Sequence, residues 1–178
     1  MTTTMQRRQL TSIFGLLALT VAAMLLQSLG MHPASALVAG GLLGAGCAAA
    51  LWGVTTPDAS APERLRWLLW PQIAAVITIT WLAYLHLIPH FVVMVPGSDK
   101  VMHFLLFGAV TFFAELWLRD RRIVGIPMSI ALPATLACIE EGLQHFSPHR
   151  TMDIGDLICD LSGMTVAFLL ARALYRRG

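Results

Sequence analysis

Residues 99–118 read DKVMHFLLFGAVTFFAELWL, residues 123–144 read IVGIPMSIALPATLACIEEGLQ, and residues 153–174 read DIGDLICDLSGMTVAFLLARAL. Each run is about as long and apolar as the 20 or so residues that cross a bilayer's hydrocarbon core. Each also gathers polar groups at one end. Asp99, Lys100 and His103 open the first run, Glu140, Glu141 and Gln144 close the second, and Asp153, Asp156 and Asp160 open the third. Ionisable groups at the centre of a span cost about 2.5–3.5 kcal/mol each on insertion scales. Keeping so many at three adjacent segment ends points to use rather than tolerance.

Outward from this stretch, apolar runs of similar length recur along the whole chain. Spans are predicted at 10–29, 34–54, 67–88, 101–118, 123–144 and 154–174, giving an all-α membrane protein with six transmembrane helices. Of the 178 residues, 57% are hydrophobic and 12% charged, against about 25% charge in soluble domains. A net charge of +2, with no basic stripe interleaved with aromatics, argues against a nucleic-acid partner. Pro57, Pro62, Pro89, the Pro96-Gly97-Ser98 turn, Arg119 to Arg122 and Ser147-Pro148 fall between the predicted spans, where the chain must leave the membrane. Cys47, Cys138 and Cys159 lie inside apolar runs without CxxC spacing, so they read as free thiols packing as small hydrophobes.

Alternating the loops divides the Lys and Arg residues unevenly. One side receives Arg7, Arg8, Arg64, Arg66, Arg119, Arg121, Arg122, Arg172, Arg176 and Arg177, and the other only Lys100 and Arg150. The positive-inside rule then predicts cytoplasmic termini and a polar cluster that faces outward, toward periplasm or cell exterior. The same partition puts His32, His86, His90, His103, His145 and His149 at or near outer ends. Arg7-Arg8, an apolar core and Ala34-Ser35-Ala36 imitate a signal peptide, but the core is longer than the usual 7–15 residues, and an uncleaved first span is expected. Residues 1–60 read as an accessory transmembrane hairpin without ionisable groups in its spans, and 64–178 as a four-span core. Gly40 and Gly44, four apart, permit close helix approach within the bundle.

Helical spacing sharpens the polar cluster. Asp153, Asp156 and Asp160 form one stripe, and Gln144 shares a face with Glu140 and with Glu141. Antiparallel neighbours joined by short loops can bring such ends together. Lys100, His103 and Arg150 are the nearby cationic groups against Asp99, Glu140, Glu141, Asp153, Asp156 and Asp160. His103 with the carboxylates admits three readings: general acid–base chemistry, a divalent-metal site, or a hydrogen-bonded network that fixes helix register. Arg150 fits either a clamp on an anionic headgroup or a boundary ion pair with Asp153 or Glu141. Glu115 and Arg119, at i, i+4, read as a structural pair.

Asp99-Lys100-x-x-His103-Phe104-x-x-Phe107, then Glu141-x-x-Gln144, then Arg150-x-x-Asp153-x-x-Asp156 resembles the VanZ-like family of small bacterial membrane proteins. The resemblance covers residues 64–178 and implies a four-helix membrane domain. At Asp160 the family usually has Asn, so this chain carries an extra carboxylate. The family is named for a member associated with reduced susceptibility to teicoplanin, which implies antibiotic resistance and a site close to lipid-linked cell-envelope material.

The expected function is therefore binding or modification of an anionic lipid or lipid-linked envelope component at the outer face. His103, Glu141 and Asp156 are the candidate catalytic groups. Lys100, Gln144, Arg150 and Asp153 are expected to bind substrate, with Asp99, Glu140 and Asp160 as a supporting polar network. The acidic cluster admits a divalent metal, and the sequence indicates no other cofactor. Proton- or ion-coupled transport along the carboxylate stripe, and a non-enzymatic assembly protein with a structural network, are the competing readings.

Overall fold

The computed structural model describes residues 11–12, 15–16, 18–20, 22–27, 30–55, 60–88, 95–144 and 152–175. The chain divides into two compact units, Met1–Leu87 and Ile88–Gly178. It is mostly helical, and among the described residues four helices are long and apolar enough to cross a membrane: Pro33–Val54, Glu63–Tyr84, Ser98–Leu118 and Ile154–Leu174.

In the first unit, helix α1 (Pro33–Val54) starts at a proline, whose missing N–H costs nothing in the first turn. His32 caps it, Nδ1 accepting from the N–H of Ala34 at 3.3 Å. A shorter helical stretch, Ala18–Gln27, precedes it. A Cβ on Gly40 would stand 2.9 Å from the Leu19 carbonyl oxygen, and one on Gly44 2.7 Å from that of Gly15. The two glycines therefore serve the close helix approach that their spacing predicts. Helix α2 (Ala61–Leu65) continues through a 3-10 turn, Arg66–Leu68, into α3 (Leu69–Tyr84). Leu26, Met31, Ala36 and Ala39 form the buried core, with Trp81, Leu82 and Leu87 packed against it.

The third expected span stops earlier than predicted. After Tyr84, His86 takes φ 55°, its N–H bonds the carbonyl of Ala83, and the N–H of Leu87 bonds that of Leu82. These two bonds are the Schellman pattern that closes a helix. His86 thus sits in a helix-ending turn, and His90 lies outside the described residues.

In the second unit, α4 (Ser98–Leu118) leads into a two-stranded hairpin, β1 (Arg122–Ile123) and β2 (Ile126–Pro127), then α5 (Met128–Gln144) and α6 (Ile154–Tyr175). The hairpin delays the helix expected from 123 to Met128, within a chain that is mostly helical as expected. Val124 and Gly125 both adopt positive φ, 50° and 83°, which makes the two-residue turn that antiparallel strands favour. Arg122 pairs with Pro127 and Ile123 with Ile126. Helix α5 is left with 17 residues, about 25 Å at 1.5 Å per residue, at the short limit for a span.

Helices α4 and α6 run parallel. Lys100 meets Asp153 and Asp156, His103 meets Asp160, Gly108 meets Gly163, and Glu115 meets Arg172, always in ascending order. A Cβ on Gly163 would overlap the carbonyl of Phe104, and one on Gly108 would stand 3.1 Å from the carbonyl oxygen of Gly163. Two glycines at one crossing bring the backbones together, so even the short side chains of Asp156 and Asp160 reach α4. Phe107, Ala137 and Met164 form the apolar layer beneath.

Candidate functional site

The site assembles at the N-terminal ends of α4 and α6 and the C-terminal end of α5. Antiparallel neighbours meet here as expected, α5 against both α4 and α6, and the parallel pair α4 and α6 supplies the main frame.

Asp153 ties the three helices together. As N-cap of α6 it accepts the N–H of Gly155 on Oδ1 at 2.7 Å, satisfying a donor that a helix start leaves open. Its Oδ2 takes Lys100 Nζ of α4 at 2.7 Å, and its own N–H donates to Glu141 Oε2 of α5 at 3.1 Å. The hydrogen bond from Lys100 first, and the Gly155 N–H second, hold the Asp153 carboxyl below the ordinary aspartate value of 3.8. Lys100 Nζ also reaches Asp156 Oδ1 at 3.1 Å and Asp99 Oδ2 at 3.6 Å. Asp99 and Asp156 lie in first helical turns, where the positive end of the helix dipole favours carboxylates.

One turn deeper, His103 Nδ1 stands 3.1 Å from Asp160 Oδ1, and its Nε2 3.8 Å from Asp156 Oδ2. Its ring stacks on Phe107, with centroids 6.3 Å apart. Asp160 is fully buried, and its Oδ2 has no hydrogen-bond partner. Glu141, 2% exposed, and Gln144, 1% exposed, complete the floor. Gln144 Nε2 donates to Glu140 Oε1 at 3.1 Å and Glu141 Oε1 at 3.2 Å. His103, Glu140 and Glu141 each present one ligand-type atom within 4.8 Å of the others.

Nine of the ten sequence-designated residues therefore lie in one group: Asp99, Lys100, His103, Glu140, Glu141, Gln144, Asp153, Asp156 and Asp160. Arg150 lies outside the described residues. Chemically, the arrangement offers an imidazole poised between carboxylates, a lysine held by two aspartates, and a bridging amide that keeps two glutamates side by side.

A second polar group lies at the opposite ends of the same helices. Glu115, 2% exposed, binds Arg172 Nε through Oε1 at 3.0 Å and accepts from Ser129 Oγ at 2.5 Å. Arg172 Nη1 also meets Asp120 Oδ1 at 2.5 Å, and its guanidinium lies 5.2 Å over the Phe168 ring. The sequence did not point to this long-range partner for Glu115. The available signal was the offset of 57 residues, which Glu115 and Arg172 share with His103 and Asp160.

Comparison with known proteins gives one family: its model, described as VanZ/LLP1, matches residues 58–175. No curated protein and no solved structure is significantly similar to the chain.

Proposed function

The chain belongs to the VanZ/LLP1 family, and from that premise we propose an integral protein of the bacterial cytoplasmic membrane that binds or modifies an anionic amphiphile. That amphiphile is a lipid, or a lipid-linked component of the cell envelope, met at the outer leaflet. The observation that carries this reading is the convergence of Lys100, His103, Glu141, Asp153 and Asp156 at the ends of apolar helices. Helix ends lie at headgroup depth, where a polar site meets the charged part of a lipid while the chains stay in hydrocarbon.

Within this reading, His103 and Glu141 exchange protons with the bound group, and Asp156 holds the imidazole and the lysine in place. Lys100, Gln144, Arg150 and Asp153 orient the substrate, and Asp99, Glu140 and Asp160 support them. A link to teicoplanin-type susceptibility would follow from action on envelope material. Transport is the weaker reading. Phe107, Ala137 and Met164, all buried, form an apolar layer next to the carboxylate stripe, which favours binding at the helix ends over passage along them.

Native mass spectrometry of the detergent-extracted protein tests the proposal. Retained adducts of phosphatidylglycerol over equimolar phosphatidylethanolamine are expected. Equal retention of both would sink the anionic-ligand reading.

A further inference from the structure

Six carboxylates face very few cations at this site. Among the described residues, Asp99, Glu140, Glu141, Asp153, Asp156 and Asp160 are accompanied by Lys100 and His103 alone. Lys100 is committed to Asp99, Asp153 and Asp156. No described lysine or arginine pairs with Glu140 or Glu141, whose hydrogen bonds come from the Gln144 amide and the Asp153 N–H. Glu141 sits in the last turn of α5 and Glu140 just before it, where the negative end of the helix dipole disfavours carboxylates and favours cations. An anionic headgroup approaching these residues directly would be repelled.

We propose that His103, Glu140 and Glu141 hold a divalent cation of the Zn2+ or Mn2+ type, which in turn receives the anionic group of the amphiphile; with the ion bound, His103 and Glu141 serve as its ligands in place of the proton exchange described above. Imidazole with two carboxylates is a donor set of that class. The three donor atoms lie within 4.8 Å of one another, and bonds of about 2.0–2.2 Å would draw them to about 3.4 Å in a tetrahedral shell. Glu140 and His103 are half-buried, which leaves the ion a face open to a ligand. Gln144 already holds the two carboxylates together.

A separate observation points to the same ion. Asp160 is fully buried, with one oxygen on His103 Nδ1 and the other unpartnered. A buried, half-satisfied carboxylate is costly unless positive charge lies near. A carboxylate on one nitrogen of a histidine fixes the tautomer that leaves the other free to bind metal. Asp160 would thus act as a positioning residue for Nε2, and an ion on Nε2 would supply the missing charge across the ring. The bridging of metal to amphiphile rests on the reading given above, whereas the metal site itself does not.

The test uses the full-length protein purified in detergent, stripped with a chelator, dialysed, and titrated calorimetrically with Zn2+ alone and Mn2+ alone. About one equivalent of at least one ion should bind. Glu140→Gln should weaken it at least about 10-fold, and Asp160→Asn about 10- to 100-fold, with circular dichroism and elution volume unchanged. Binding of neither ion, or unchanged affinity in a folded Glu140→Gln variant, would overturn the site; that variant decides the matter if Asp160→Asn does not fold. Phosphatidylglycerol vesicles separate the two readings. Lipid binding that requires the metal supports the bridge. Lipid binding indifferent to chelator overturns the bridge alone, and metal binding without lipid binding overturns the amphiphile reading while the site stands.

Discussion

Lys100 and Asp153, 53 residues apart in the chain, meet at 2.7 Å, an ion pair between the first turn of α4 and the cap of α6, two parallel helices. Because Asp153 also receives the Gly155 N–H and gives its own N–H to Glu141, one side chain and its peptide join three helices. Its carboxyl titrates below the ordinary aspartate value of 3.8, held down mainly by Lys100. A carboxylate with a depressed folded value adds stability that is fully present above its unfolded value and is lost as pH falls through the folded one. The melting-temperature difference between wild type and Asp153→Asn should therefore stay constant from neutral pH down towards about pH 5, then shrink below 3.8. Asn preserves the cap, so the difference reports the charge. A difference that grows as pH falls would contradict this pairing.

The crossing of α4 and α6 predicts an asymmetry between two glycines. A methyl group at Gly163 overlaps the backbone of Phe104, which cannot swing aside, whereas one at Gly108 only crowds the Gly163 carbonyl at 3.1 Å. Overpacking of this kind costs about 1–3 kcal/mol. Gly163→Ala should lie at the upper end of that range and Gly108→Ala at the lower, read from thermal unfolding in detergent. Equal effects would place the close approach elsewhere.

Much of this architecture was legible because helical periodicity and apolar length are local properties. The Pro96-Gly97-Ser98 turn marks the approach to α4, the expected start at 154 is that of α6, and the Asp153, Asp156 and Asp160 stripe follows from spacings of three and four. What local pattern did not carry was the partner of each stripe. That Asp160 faces His103, and that Glu115 binds Arg172, depends on α4 and α6 running parallel and in direct contact. The hairpin was hidden for another reason: Val124 is a β-branched residue at φ 50°, a conformation that sequence reasoning reserves for Gly or Asn. With Ile123 and Ile126 beside it, the segment reads as the start of an apolar span.

Topology is the next expectation, because the assignment of the polar cluster to the outer face rests on ten Lys and Arg residues against two. In a background with Cys47, Cys138 and Cys159 replaced by alanine, Pro96→Cys should react with an impermeant maleimide added outside intact cells. Arg121→Cys should react only after the membrane is opened. The reverse pattern would turn the cluster towards the cytoplasm and end the outer-leaflet reading.

Whether the cluster does chemistry or only holds helices is decided by conservative changes. Deleting one partner of a buried ionic network can cost about 3–5 kcal/mol, so an alanine variant that loses function says little. Glu141→Gln keeps the shape and can still accept from the Asp153 N–H, which Glu141 Oε2 now does at 3.1 Å, but it cannot take a proton. His103→Gln removes the imidazole while leaving an amide to meet Asp160. Both variants are expected to insert and to elute as the wild type does, with a melting temperature within a few degrees of it. Both should lose retained phosphatidylglycerol in native mass spectrometry, and any phenotype of the wild-type protein should go with it. If both keep the lipid and the phenotype, proton transfer by His103 and Glu141 is not part of the function. If neither folds, the network between α4, α5 and α6 is structural first, and a membrane assembly role takes the lead over binding.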